Sequence, residues 1–401
     1  MRLLLVSALD REKQRAYSLD WRLHMRLLLI SKLHPWARAV NTIVKYVEVG
    51  RGLDQEVALF GEQLSELPSV PFSLDVDRFD YAIFIVYEAS DFPDLPYLAR
   101  LLDGMPKERR IVIDCSGRYN ETVRVEHDFN HLERLDGHQG WEWVEGFEAI
   151  SDRILQPTPA PLRADVRPFP FHAYDPAAVA RPFASATEAA ASWSQANDTK
   201  PYGVAYAGNN WQRWSQLAPF FETIAPLRER LGPTCLAGWD WDKRPDWAVE
   251  HGLAGVDVDR ELLKRTGVEA RWATTYDEFI PFLSQARFSP IFQRPLYNHL
   301  RLVTNRMFET FCADTIPLLM LPGDLIDTVY GPAARRLAPG EDVAGLIEDV
   351  LADPRPYWEA VLETRRHLAR EHSFEKRFAE LLQVIEGGQT GAVRAGAGEA
   401  T

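Results

Sequence analysis

The residues best suited to chemistry lie in one stretch, residues 304–317, TNRMFETFCADTIP. A polar lead-in, PLYNHLRLVTN, runs into a short apolar helix that carries Arg306 and Glu309. A turn and Pro317 end that helix, and residues 316–321 read as a buried strand. A helix starting at the carboxyl edge of a sheet offers unpaired N–H groups and the positive end of its dipole, which favour phosphates. With Thr304, Asn305 and Arg306 at that end, the chemistry is that of a nucleotide-diphosphate site.

Elements on a large scale must position such a site. The chain has 401 residues, enough for two α/β lobes with separate cores. With 46% hydrophobic and 26% charged residues it is an ordinary globular sequence rather than a disordered or membrane-spanning one. The formal charge of -13 argues against gripping nucleic acid or an anionic membrane over a broad surface, while leaving room for a local phosphate pocket. Cys115, Cys235 and Cys312 are odd in number and far apart, so they predict neither a disulfide framework nor a paired-cysteine zinc motif, and a reducing cytoplasm suits them. The opening MRLLLVSAL is too short for a signal peptide or a membrane span and reads as a first strand.

Strand-like runs then alternate with helical ones. Asp10 heads a polar loop, 10–17, at the carboxyl end of the first strand, 2–7. Residues 23–33, LHMRLLLISKL, repeat the letters MRLLL, but with Ser18 and Asp20 as caps they are expected to form a helix, followed by a second over 35–49. Strands are expected at 56–61, 81–88, up to Asp114, and at 153–156. This pattern predicts an α/β protein with parallel, doubly wound sheets. The Pro-, Ala- and Ser-rich segment 168–201 is the expected connection, dividing an N-terminal domain 1–175 and linker 176–200 from a C-terminal domain 201–372. A terminal helix, 373–386, and a disordered tail, 387–401, complete the expectation.

Four segments of the C-terminal half carry a resemblance: AYAGNNWQRW, TNRMFETFCADTIPLLM, the amphipathic helix ending LADP, and EHSFEKRFAELLQVI. Together they resemble the nucleotide-binding lobe of GT-B glycosyltransferases, specifically the spore-maturation-protein-like group related to glycosyltransferase family 4. The N-terminal half resembles that group only in strand order. The resemblance implies two Rossmann-like lobes facing each other across a cleft, with a nucleoside-diphosphate sugar as substrate and no separate cofactor. It implies that Glu309 holds the ribose hydroxyls, that Arg306 lies near the diphosphate, and that Gly208, Asn209 and Arg213 approach the same phosphates. It also places Thr274 and Thr275 beside the base, although they read equally as a helix-capping pair. The family's first glutamate falls near Arg301, and its glycine turn is replaced by Asp314, which is expected to take a left-handed backbone.

The implied activity is sugar transfer to an acceptor hydroxyl of a carbohydrate, lipid-linked sugar, protein or metabolite, with no nucleic acid partner. Alternatives are a nucleotide-sugar epimerase of the same fold and a non-catalytic binding protein. If the reaction inverts configuration, Asp10 or Asp114 is the candidate base. Three Asp-x-Asp pairs, 75/77, 240/242 and 257/259, point to chance in an acidic chain, and GT-B enzymes use helix dipole and basic side chains, so no metal is expected. Trp141 and Trp143 suit a sugar platform or a core, and His372 suits packing or capping of the last helix.

Overall fold

The computed structural model describes residues 24–31, 33, 39–87, 98–120, 140–195, 200–210, 212–244 and 256–395. Asp10, the expected strand 2–7 and the loop 10–17 lie outside the described residues, as do residues 127–139 and the side chains of Trp141 and Trp143.

Two parallel sheets form two lobes. The N-terminal sheet has seven strands, β1 (Arg26–Ile30), β2 (Glu56–Phe60), β3 (Phe72–Ser73), β4 (Tyr81–Val86), β5 (Arg110–Asp114), β6 (Ile154–Gln156) and β7 (Arg167–Pro168), in the order β3-β2-β1-β4-β5-β6-β7. The C-terminal sheet has β8 (Tyr202–Ala207), β9 (Thr234–Ala237), β10 (Val268–Arg271), β11 (Ala286–Ile291) and β12 (Ile316–Leu319), in the order β10-β9-β8-β11-β12. In each sheet the order reverses beside a central strand, which opens a crevice at the carboxyl ends of β1/β4 and of β8/β11. The expected pair of doubly wound lobes is therefore present.

Residues 26–30 correct one expectation, because they form β1 and not a helix. Leu27 to Ile30 are all buried, and the strand is paired on both sides, with β2 and β4. A run with no polar face suits a central parallel strand covered on both faces, whereas a surface helix would leave part of it in water. The helix that follows, α1 (Ala39–Gly52), lies close to the expected second one.

Three helices of the C-terminal part matter for the site: α2 (Trp214–Ile224), α3 (Asn305–Cys312) and α4 (Arg355–Glu371). The last helix, α5 (Phe374–Ala395), continues past residue 386, so residues 387–395 of the expected tail are helical. Once nucleated, a helix gains one hydrogen bond per added residue, which lets it run on through unremarkable sequence. Phe374, Phe378, Leu381, Leu382 and Ile385 join the core of the N-terminal lobe, so α5 returns to the lobe that holds β1. The connection 176–200 contains a helix, Ala186–Gln195, whose Ala189, Ala190 and Trp193 enter the C-terminal core. Among the described residues no helix is long and apolar enough to cross a membrane.

Among the described residues, two contacts between the lobes bear on the site. Val303 N donates to Pro157 O at 2.6 Å, and Thr158 Oγ1 donates to Leu300 O at 2.8 Å. Gly117, at φ +75°, lies so close to Leu300 and Leu302 that a Cβ there would overlap both side chains. The second contact joins α1 to α3 through Asn41 and Glu309.

Candidate functional site

The site begins where β8 ends. Gly208 has no left-handed backbone; its role is close approach, since an added Cβ would overlap Arg306 Nη2 and stand 3.0 Å from Arg306 Cζ. Asn209 fixes the turn: its carbonyl accepts from Arg213 Nη1 at 2.8 Å and its side-chain oxygen from Trp239 N at 3.1 Å. Asn210 Nδ2 donates to Asp240 O and Val256 O. The left-handed residue is Gln212, at φ 54°, fully buried with neither side-chain amide atom hydrogen-bonded. Arg213 then sits at the N-cap of α2.

Arg306 arrives from α3. Thr304 has the extended backbone of an N-cap but its side chain makes no capping bond; Asn305 Oδ1 accepts from Arg306 N at 2.9 Å instead. The guanidinium lies over the ring of Tyr206, 4.8 Å from its centroid, and donates to the Tyr206 hydroxyl. Burial pushes the Arg213 guanidinium down to about 10, with neighbouring Arg306 and Arg294 adding to the depression, so it stays protonated at neutral pH. Neither Arg213 nor Arg306 has an ion-pair partner among the described residues, and both keep a buried Nε–H without an acceptor. Asn305 Nδ2 is in the same condition. Like charges held together with spare donors fit an anion that brings several oxygens.

The far end of α3 is fixed by Arg365 on α4, which donates to Phe311 O and Ala313 O, each at 2.7 Å. Glu309, one turn after Arg306, is buried at 9% exposure and accepts from Asn41 Nδ2 at 3.0 Å. Asn41 also donates to Tyr276 O at 3.2 Å. Gly208, Asn209, Arg213, Thr304, Asn305 and Arg306 thus lie in one region, with Glu309 one turn further along α3.

Other expected residues stand elsewhere or do other things. Asp114 is fully buried, and its carboxylate accepts from five donors: Ser116 N, Ser116 Oγ, Gly117 N, Tyr119 N and Gln156 Nε2. It organises the loop under the first lobe contact and presents no lone pair to a cleft. Thr275 N donates to Glu278 Oε2 and its hydroxyl to Asp277 Oδ1, the capping role; Thr274 is buried beside it. Asp314 does not take the left-handed backbone expected of it. Its carboxylate pairs with buried Lys200 at 3.2 Å, and Lys200 also donates to Ser284 O, so this ion pair holds the turn. Arg301, at φ 54°, takes a left-handed turn and pairs with Asp324 at 2.8 Å. His372 packs on Phe308 and bonds Arg377, and burial drives its imidazole down to about 3.

Sequence reasoning missed Tyr206, Gln212, Arg294 and Asn41. Arg294 follows β11, whose end lies beside that of β8, and lies over Tyr297 at 4.2 Å. Its proximity to Arg213 is a product of strand order, which no local spacing encodes. Beyond the arginines, at the ends of β9 and β10, a cavity of about 420 Å³ is lined by Trp239, Asp240, Asp242, Lys243, Arg271 and Trp272, among others. Of the other Asp-x-Asp pairs, Asp75 and Asp77 are exposed, Asp257 pairs with Arg244, and Asp259 caps a helix. Among the described residues no group of three or more potential metal ligands occurs.

No family model and no curated protein matches the sequence. Solved structures match over most of the chain. The T4 phage β-glucosyltransferase in complex with UDP and Mn2+ has a TM-score of 0.52 at 12% identity, covering 90% of this chain and 99% of that one. An α-glucosyltransferase in complex with UDP and a 13-mer DNA containing a central A:G mismatch has a TM-score of 0.57 at 12% identity, covering 90% and 100%. The same activity in complex with UDP and a 13-mer DNA with a HMU base gives 0.55 at 11% identity, covering 91% and 100%. At such identity the likeness is one of fold, the two-lobed GT-B architecture.

Proposed function

We propose that this chain transfers a sugar from a nucleoside-diphosphate sugar to an acceptor hydroxyl, in the cytoplasm and without a metal ion. The observation that carries this reading is the meeting of Arg213 and Arg306 at the Gly208 turn, two cations from separate elements with no carboxylate opposite them among the described residues. A departing nucleoside diphosphate develops negative charge at the bond that breaks. Preorganised cations and N–H donors lower the barrier most where that charge appears. Arg213, Arg306, Asn305 and the start of α3 are the donors in this scheme. Glu309 accepts ribose hydroxyls within a network that already holds Asn41.

The acceptor enters from the N-terminal lobe. Asp114 is engaged by its own loop, so for an inverting reaction the remaining candidate base from the sequence is Asp10; a retaining reaction needs no dedicated base. The reading is supported by structural neighbours described in complex with UDP. Two of those complexes hold DNA. For this chain a formal charge of -13 favours a carbohydrate, lipid-linked sugar, protein or metabolite hydroxyl over a polyanion.

The test is a set of nucleotide sugars incubated with the protein and with Arg306→Ala, in the presence of a chelator, following free nucleoside diphosphate. Slow release of diphosphate by the parent, lost in the variant, is the expected result. A new nucleotide sugar without free diphosphate would make it an epimerase. No turnover and no binding of any nucleotide would leave a non-catalytic binding protein.

A further inference from the structure

We propose that the donor's base is guanine, read by Asp242 and Lys243 in the cavity beyond β9 and β10; this rests on the transferase reading above. The cavity adjoins the diphosphate turn. Trp241 Nε1 donates to Gly208 O at 2.8 Å, and Gly238 packs so tightly on Gly208 that a Cβ there would overlap its carbonyl. Its volume of about 420 Å³ lies in the range of small-molecule sites. A nucleoside whose diphosphate lies between Arg213 and Arg306 therefore has this space next to it.

The lining selects among bases. Trp272 is 81% exposed at the rim, an indole face that any base can stack on. Asp242 and Lys243 are exposed neighbours, and neither has an ion-pair partner or a side-chain hydrogen bond among the described residues. Guanine presents N1–H and N2–H donors side by side, which suit a carboxylate, and O6 and N7 acceptors, which suit a cation. Uracil offers one N–H flanked by two carbonyl oxygens, which a carboxylate repels. Adenine and cytosine set an amine beside an unprotonated ring nitrogen, which presents a lone pair to the same carboxylate. An acid and a base at adjacent positions, over an aromatic face, match guanine on both of its edges.

Equilibrium binding of GDP, IDP, XDP, UDP and ADP, measured with a chelator present, tests the assignment on the parent and on Asp242→Asn. GDP should bind about tenfold or more tighter than UDP or ADP, with IDP between, because each good base contact is worth roughly fivefold to a hundredfold and guanine makes two. Asp242→Asn should weaken GDP and strengthen XDP, whose 2-oxo group accepts from the new amide. This reversal is a ratio within one protein, so loss of fold cannot mimic it. UDP or ADP binding best, or an unchanged GDP-to-XDP ratio, would each overturn the guanine assignment and leave the transferase reading standing. If no diphosphate binds at all, both fail.

Discussion

Gly208 shows how much one missing methyl group decides. Its Cα stands against the guanidinium of Arg306, the far end of a flexible side chain, so a methyl added there displaces the arginine and not the backbone. Gly208→Ala is expected to lower stability by only about 1 kcal/mol, since a side-chain tip can move aside, while nucleoside diphosphate affinity falls about tenfold or more. Thermal denaturation beside equilibrium binding reads the two effects separately; equal loss in both would place the glycine in the core and not in the site. Titration provides a second residue-level test. Buried His172 bonds Thr42, and burial drives its imidazole down to about 3. Its folded value lies below the ordinary 6.5, so the unfolded chain binds a proton first. Stability therefore falls as pH drops from about 6.5 towards 3, by at most about 1.4 kcal/mol per pH unit for each such histidine. His372 adds a similar contribution. Denaturant melts across that window should flatten in His172→Phe, and a variant as steep as the parent would remove the histidine from the account.

Among the elements, α3 is held at both ends by groups outside it. Its first turn carries the arginine that meets Gly208, and its last carbonyls have no helical partner. Arg365 supplies that partner from α4, donating to Phe311 O and Ala313 O in a buried setting. Arg365→Met is expected to cost about 2–4 kcal/mol, because two buried carbonyls lose their donors at once, and urea denaturation measures it. A loss below about 1 kcal/mol would mean that another group caps the helix. β1 carries the lesson about periodicity. Four apolar residues in a row, Leu27 to Ile30, fit a buried strand and a buried helix segment equally by pattern, and only pairing with β2 and β4 decides between them.

Across the whole molecule the last helix, α5, ties a C-terminal segment back to α1 of the N-terminal lobe. Phe378, fully buried, packs on Tyr46 of α1 at 6.0 Å between ring centroids, although their positions in sequence are distant. Phe378→Ala is expected to destabilise the N-terminal lobe by about 3–5 kcal/mol. Hydrogen exchange should then show faster exchange in α1 and β2, while β8 and β11 keep their protection; uniform loss through both lobes would mean that they unfold as one unit.

Local order was what the sequence determined. Five of the expected strands, at 56–61, 81–88, up to Asp114, 153–156 and 316–321, the short helix with Arg306 and Glu309, the glycine after β8 and the two-lobed plan were legible, because each follows from apolar runs, turns and caps within a few residues. Asp114 was legible as the end of a strand but not as a carboxylate consumed by its own loop, and Asp314 as a turn but not as the partner of Lys200. Tertiary structure alone set Arg294 near Arg213, Asn41 on Glu309, and Asp242 and Lys243 near the Gly208 turn. Each of these depends on which strand lies beside which, a choice fixed by packing over the whole sheet and carried by no local stretch of residues.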